Sequence, residues 1–402
     1  MKKNYLLIAA AAAMFAACSS NDTFKEINVD ENEAPIAFTT YSEKLTRAEN
    51  SSATTYDGLY THHNDFSVWG FKYGKYNNGS DAWAAVWGKG TGNIAIGTVS
   101  TTDGSAWAAS PTKFWDKAAE KYYFYAAAPA SNNWVLNNGT SDTDEDDNYL
   151  TYANFKLTGA NAIATATTTY SETFKSVSAT DKDLLIAENK QVDRSSSTYN
   201  QANPAAVQLL FDHILSRLNI TVKKSANLNT QSVTVDITGF TITAGDLCNK
   251  GSFDESKTLT QSGTIARWAN ASPASPSIDG TYTLGAGATI NDLSTTATYI
   301  GQYLIIPQAI TSEVLDRAEP VLTGTSTAAT HPYFKIEYEL NDEPFYAYYD
   351  LANAFGVEAN GTLAFNEGYQ NTLNITIDAD AIVFDPQVYK WVDQPANLTE
   401  VE

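Results

Sequence analysis

Hydrophobic and polar residues alternate with a period of two through several short stretches: Phe66–Phe71, Tyr122–Tyr125, Val233–Ile237, Phe334–Tyr338 and Leu373–Ile377. That alternation predicts strands that bury one face. Between them lie turn signals, Asn77-Asn78-Gly79, Asn137-Asn138-Gly139 and Asp279-Gly280, and no long stretch keeps a clean helical period. One segment fits both readings. Phe211, Ile214, Leu215 and Leu218 have helical spacing, whereas Leu218, Ile220 and Val222 have strand spacing. We read a strand interrupted around His213–Ser216. The polar stretches 131–148 and 269–298 read as long loops. Many short strands with turn punctuation predict an all-β chain of antiparallel β-sandwiches. Ser225–Gln231 is a polar break, so the expected units are 48–224 and 225–402.

The first residues follow a different pattern. Lys2 and Lys3 precede an apolar run from Leu6 to Ala17, and Cys18 follows at once. A positive start, a short hydrophobic run and small residues before the cut describe an export signal. The run of about a dozen residues is shorter than the roughly 20 needed to span a bilayer. Phe15-Ala16-Ala17-Cys18 resembles a bacterial lipobox, with Phe15 where leucine is usual. The expectation is therefore a signal peptide over 1–17, lipidation of Cys18 and attachment to the outer membrane. A polar, acidic stretch up to about Glu33 then reads as a tether.

Composition narrows the chemistry. The 402 residues hold 25 Lys+Arg against 46 Asp+Glu, a formal net charge of −21. A chain this acidic, without a basic stripe, repels phosphate backbones, which argues against a nucleic-acid partner. Of two cysteines, one lies in the targeting segment, which leaves Cys248 no partner for a disulfide or a cysteine zinc site. His62, His63, His213 and His331 are scattered, and neither an HExxH pair, a GxSxG elbow nor a P-loop occurs. Gly88–Gly92 is glycine-rich but has Asn93 where a dinucleotide fingerprint needs its third glycine, so it reads as a turn. The acidic run Asp142–Asp147 begins like a calcium loop. It has Asp147 at the glycine position and Ala153 at the twelfth, so a solvated loop is the better reading. No catalytic residue, metal or cofactor is expected. Trp83, Trp87, Trp107 and Trp134 either pack against sheets or, in the alternative of a glycan-binding surface lipoprotein, stack on sugars.

The order of segments resembles the fimbrillin family of Bacteroidales lipoproteins, the subunits of type V pili. Ile36-Ala37-Phe38-Thr39 leading to Thr46-Arg47-Ala48 resembles the family's first strand and protease site. Asp183–Ala187 and Phe211–Arg217 are the most specific matching segments, and Asn249–Phe253, Tyr303–Gln308 and Gly368–Ile377 continue the series. The resemblance implies two tandem transthyretin-like β-sandwich domains in a surface-exposed fimbrial subunit. It also implies a removable segment over 18–47, cut by an arginine-specific protease between Arg47 and Ala48. Its implied partners are other fimbrial subunits and a host or bacterial surface ligand. A tip, accessory or anchor subunit stays open beside a stalk subunit.

These residues suggest a mechanism without an active site. Ile36, Phe38 and Thr40 alternate on one face of a short strand ahead of Arg47. If that strand completes a sandwich, cutting after Arg47 frees it and leaves a sheet edge able to template another strand. At the far end Ile382, Phe384 and Val388 share a parity, as a donor strand filling pockets in a neighbour requires, and Pro386 favours an edge position.

Overall fold

The computed structural model describes residues 34–42, 59, 63–75, 81–88, 96–102, 106–139, 145, 147–157, 183–196, 199, 204–243, 247–257, 267–270, 289–312, 331–358, 361–379 and 381–390. They form an all-β structure with two short helices, Ala226–Thr230 and Leu351–Ala354. Among the described residues no helix is long and apolar enough to cross a membrane.

An eight-stranded sheet dominates the N-terminal half. Its strands run in the order β1 (Phe38–Ser42), β10 (Val207–His213), β9 (Leu185–Asp193), β6 (Ala119–Ala128), β2 (Asp65–Lys75), β4 (Gly97–Ser100) and β5 (Ala108–Ser110). β3 (Asp81–Trp87) branches from β2. The central strands bury both faces, which is why Tyr122–Ala128 reads as an unbroken apolar run. On one face Phe66, Val68, Tyr122, Phe124 and Ala126 join Val207, Leu209 and Phe211. On the other, Trp69, Phe71, Tyr123 and Tyr125 belong to a larger core. Gly70 and Gly97 make room for the Trp87 indole: a Cβ on Gly97 would stand 2.6 Å from that ring, and one on Gly70 3.1 Å.

That larger core is closed by a sheet of β7 (Trp134–Asn137), β8 (Tyr149–Lys156), β13 (Lys250–Asp254) and β14 (Trp268–Asn270). Here the structure corrects a sequence expectation. The stretch 131–148 is not loop throughout, because β7 buries Trp134 and Leu136, and the Trp134 Nε1–H donates to the Pro129 carbonyl at 3.1 Å. Two large side chains among polar neighbours are enough for a strand when a partner sheet covers them.

The interruption expected around His213–Ser216 is present, and there the chain changes sheets. β10 ends at His213, Ile214 and Leu215 are fully buried, and β11 (Ser216–Lys224) joins another sheet. This sheet runs β15 (Thr298–Ile305), β11, β20 (Tyr369–Ile377), β21 (Ile382–Lys390). A three-stranded sheet, β12 (Val235–Thr243), β17 (Tyr333–Leu340) and β18 (Glu343–Asp350), contributes Ile237, Phe240, Phe334 and Ile336 to the core that Leu218, Ile220, Leu373 and Ile375 line from the first. β16 (Gln308–Thr311) and β19 (Thr362–Phe365) form a small ribbon beside them. The polar break Ser225–Gln231 holds the Ala226–Thr230 helix, whose Leu228 N–H donates to the Ser225 hydroxyl at 3.1 Å.

Candidate functional site

β1 is short, yet it closes the N-terminal core. It lies parallel to β10, with Phe38 opposite Val207 and Ser42 opposite Phe211, and the Val207 N–H donates to the Ala37 carbonyl at 2.8 Å. On its other side the Ile36 N–H donates to the Lys113 carbonyl at 2.8 Å, and the Trp115 N–H to the Ala34 carbonyl at 3.2 Å. Phe38 also bridges Trp107, the residue just before β5. β1 therefore joins the two ends of the eight-stranded sheet. Pairing on both sides leaves little of its early backbone as a free edge.

The side chains follow the strand period. Ile36, Phe38 and Thr40 are each only 3 % exposed. The Phe38 ring meets Phe66 at 6.1 Å, Trp87 at 5.7 Å and Phe124 at 5.7 Å. Ile36 and Phe38 at this depth contribute about 1.5–3 kcal/mol each from burial alone. Without them, the rings of Phe66, Trp87 and Phe124 would border an open slot between β10 and the 107–115 segment.

β21 is held differently. It is the outer strand of its sheet, paired antiparallel with β20 from Ile377–Ile382 to Tyr369–Lys390. Ile382 is buried, and Phe384 is half-buried against Tyr349 at 4.7 Å and Phe334 at 5.8 Å. Val388 is 52 % exposed and Val383 51 %. Pro386 stands opposite Leu373, at a position of the ladder whose N–H would face away from β20.

Between these regions lies a group of charges that sequence spacing could not bring together. Arg267 and Glu367 form a largely buried ion pair at 3.0 Å, and the Arg267 guanidinium also covers the Phe253 ring at 4.8 Å. Burial pushes the Glu367 carboxyl up to about 7 against the opposing pull of Arg267, and the nearby Glu255 and Asp212 carboxylates raise it further. Asp212 lies in β10 and Glu367 two residues before β20, so the group straddles the change of sheet. Close by, His213 Nδ1 and Asp183 Oδ2 are 2.6 Å apart and buried, so His213 is a satisfied core histidine. Arg217 is fully buried beneath the same turn, its Nε–H donating to Asn219 Oδ1 at 3.1 Å.

The tryptophans considered for sugar stacking are packing residues. Trp87, Trp107 and Trp134 are buried, and Trp83 is half-buried between Tyr73 and Tyr123 at 5.0 and 5.1 Å. Among the described residues no cluster of His, Cys, Asp and Glu could hold a metal ion. Of the acidic run, Glu145 and Asp147 are described, and Asp142, Thr143, Asp144 and Asp146 lie outside the described residues. The signal segment 1–17, the Cys18 lipidation site and the Arg47–Ala48 cleavage site also lie outside them.

A family model described as fimbrillin-like matches residues 46–391, from just beyond β1 to just beyond β21. A comparison with curated proteins gives no match. Among solved structures, a fimbrial protein from Bacteroides vulgatus is similar at 16 % identity over 89 % of this chain and 99 % of its own, with a TM-score of 0.46. A putative cell adhesion protein from Bacteroides eggerthii shares 12 % identity over 91 % of this chain and 98 % of its own, with a TM-score of 0.39. The tip fimbrial protein Mfa3 from Porphyromonas gingivalis, with a C-terminal truncation, shares 7 % identity over 82 % and 94 %, with a TM-score of 0.35.

Proposed function

The chain belongs to the fimbrillin-like family, and from that premise we propose that it is a structural subunit of a cell-surface fimbria, activated by proteolysis and polymerised by strand exchange. On this reading it is exported behind the 1–17 signal, lipidated on Cys18 and carried to the outer membrane as two tandem transthyretin-like sandwiches. It has no catalytic residues of its own. An arginine-specific protease cuts between Arg47 and Ala48, and the segment carrying β1 departs.

One observation carries the reading: β1, which precedes Arg47, is the strand that joins the two ends of the N-terminal sheet and seals its aromatic core. A single cut then converts a closed sheet into one with a vacant, apolar, hydrogen-bonding slot. Before the cut β1 competes for that slot from within the same chain, at high effective concentration, so polymerisation waits for the protease. A donor strand in one subunit and a slot in the next make a heterologous contact that does not close on itself, and a filament follows. Ile382, Phe384 and Val388 are the donor residues in this scheme, and Ile36 and Phe38 the displaced ones.

The test is arginine-specific proteolysis of the purified, lipid-free precursor. SDS-resistant ladders are expected from the intact sequence, and none from Arg47→Ala or from a chain lacking 381–402. Ladders from the truncated chain would show that the donor lies elsewhere.

A further inference from the structure

The three-stranded sheet of β12, β17 and β18 spends one face on the core, through Phe240, Phe334 and Ile336. Side chains alternate along a strand, so Lys335, Glu337 and Glu339 of β17 stand on the opposite face. Register fixes their neighbours there. Glu339 lies directly opposite Asp236 of β12, Glu337 falls between Gly239 and Tyr346, and Lys335 lies opposite Tyr348.

Two features of this face cost the fold rather than support it. Tyr346 is 66 % exposed, more than any other large hydrophobic side chain among the described residues. Asp236 and Glu339 set like charges directly opposite each other, which destabilises a strand pair. On its other side Glu339 meets Pro344, so neither neighbour in the ladder offers it a cation.

A third feature shows what the face can hold. The Lys335 ammonium pairs with Glu337 and lies 5.3 Å from the centre of the Tyr346 ring and 5.8 Å from that of Tyr348. One cation is thus already seated between an aromatic ring and a carboxylate. The Glu337 carboxylate lies over Gly239, where a Cβ would collide with it, and the side chain is still 42 % exposed. The open side of the Tyr346 ring and the carboxylates of Glu337, Glu339 and Asp236 have room for more positive charge than Lys335 supplies.

We propose that this face docks a basic segment of another protein, with an arginine or lysine on the open side of the Tyr346 ring and further cations against Glu337 and Glu339. Charge selects the class of partner. A phosphorylated or sialylated ligand would be repelled by the same carboxylates, and a second copy of this chain carries the same net charge of −21. The face uses neither β1 nor β21, so the proposal is independent of strand exchange and is tested on the uncut protein.

The probe is a fluorescent eight-residue peptide alternating arginine and threonine, as long as β18, titrated into lipid-free precursor and followed by anisotropy. Tyr346→Ala should weaken binding about tenfold, and Tyr346→Phe, which keeps the ring, should bind like the parent. Glu337→Gln with Glu339→Gln should weaken binding by about tenfold too. Glu120→Gln with Asp193→Asn removes two exposed carboxylates from the N-terminal sheet and should change affinity by less than about twofold.

Binding that ignores Tyr346→Ala, or that falls equally in both double variants, would mean that the peptide senses only the overall acidity of the chain, and the proposal fails. Absence of peptide binding to the parent would overturn it as well. If the parent instead binds lactose, and Tyr346→Ala abolishes that binding, the face takes a neutral saccharide and the basic partner is wrong.

Discussion

The first and last described strands are built from similar residues and held in opposite ways. β1 is five residues long, yet it is paired on both sides and, together with Ile36 just ahead of it, presents three side chains to the interior at 3 % exposure. β21 is nine residues long, but it is paired on one side and leaves Val383 and Val388 half in water. Length does not decide how firmly a strand is held; enclosure does. A long strand on an open edge can leave at modest cost. A short strand that closes a sheet is held from both sides by pairing and burial.

The sharpest way to break this contrast is to shorten the same side chain in both places. Phe38→Ala should destabilise the uncut precursor by about 3–5 kcal/mol, the usual cost of emptying an enclosed aromatic site. Phe384→Ala, half-buried at an edge, should cost about half as much. Urea unfolding of the two variants against the parent checks the ordering, and equal losses would remove the contrast.

A second experiment leaves both strands intact and titrates the charged group between them. Glu367 binds its proton more tightly in the fold than in the unfolded chain, its carboxyl rising from 4.5 to about 7. The folded state therefore holds more protons across that window. The contribution is fully present below about pH 4.5 and is lost as pH rises through about 7, to the extent of up to about 3 kcal/mol. Glu367→Gln should flatten this part of the stability profile between pH 4.5 and 7.5, as read by thermal unfolding at each pH. A variant with the parent's slope would show that the carboxyl is not the group responsible.

Smaller effects refine the contrast. Thr39 is half-buried, and its hydroxyl is enclosed without a hydrogen-bond partner. Thr39→Val removes that hydroxyl and should raise precursor stability by about 1 kcal/mol, as read by urea unfolding. An unchanged or lower stability would show that the hydroxyl costs the fold nothing. Smallest of all, Val383→Thr should change precursor stability by no more than about 0.5 kcal/mol, because that side chain already faces solvent.

Much of the fold was legible in the residues because strands announce themselves locally. Phe66–Phe71, Phe334–Tyr338 and Leu373–Ile377 alternate, and each lies in a strand. The break at Ile214–Leu215 was legible too, since helical spacing from Phe211 to Leu218 gives way to strand spacing from Leu218 to Val222. Other features depend on partners far away in sequence. β7 hides in a polar stretch because only Trp134 and Leu136 mark it, and their value depends on the sheet that covers them. The parallel seat of β1 on β10 joins residues 38 and 207, and its closure onto Trp107 depends on the curl of the whole sheet. The Arg267–Glu367 pair spans a hundred residues that no local pattern connects. The proposed site was thus visible as two amphipathic strands, while the depth of one and the looseness of the other required the packed structure.

The most direct measurement is to trace the chain lying beside β10 in the assembled fimbria by electron cryomicroscopy. Ile382–Val388 of the adjacent subunit is the predicted strand, lying in the slot bordered by Phe66, Trp87 and Phe124. Density continuous with the subunit's own Ile36–Ser42 in that place would contradict the account.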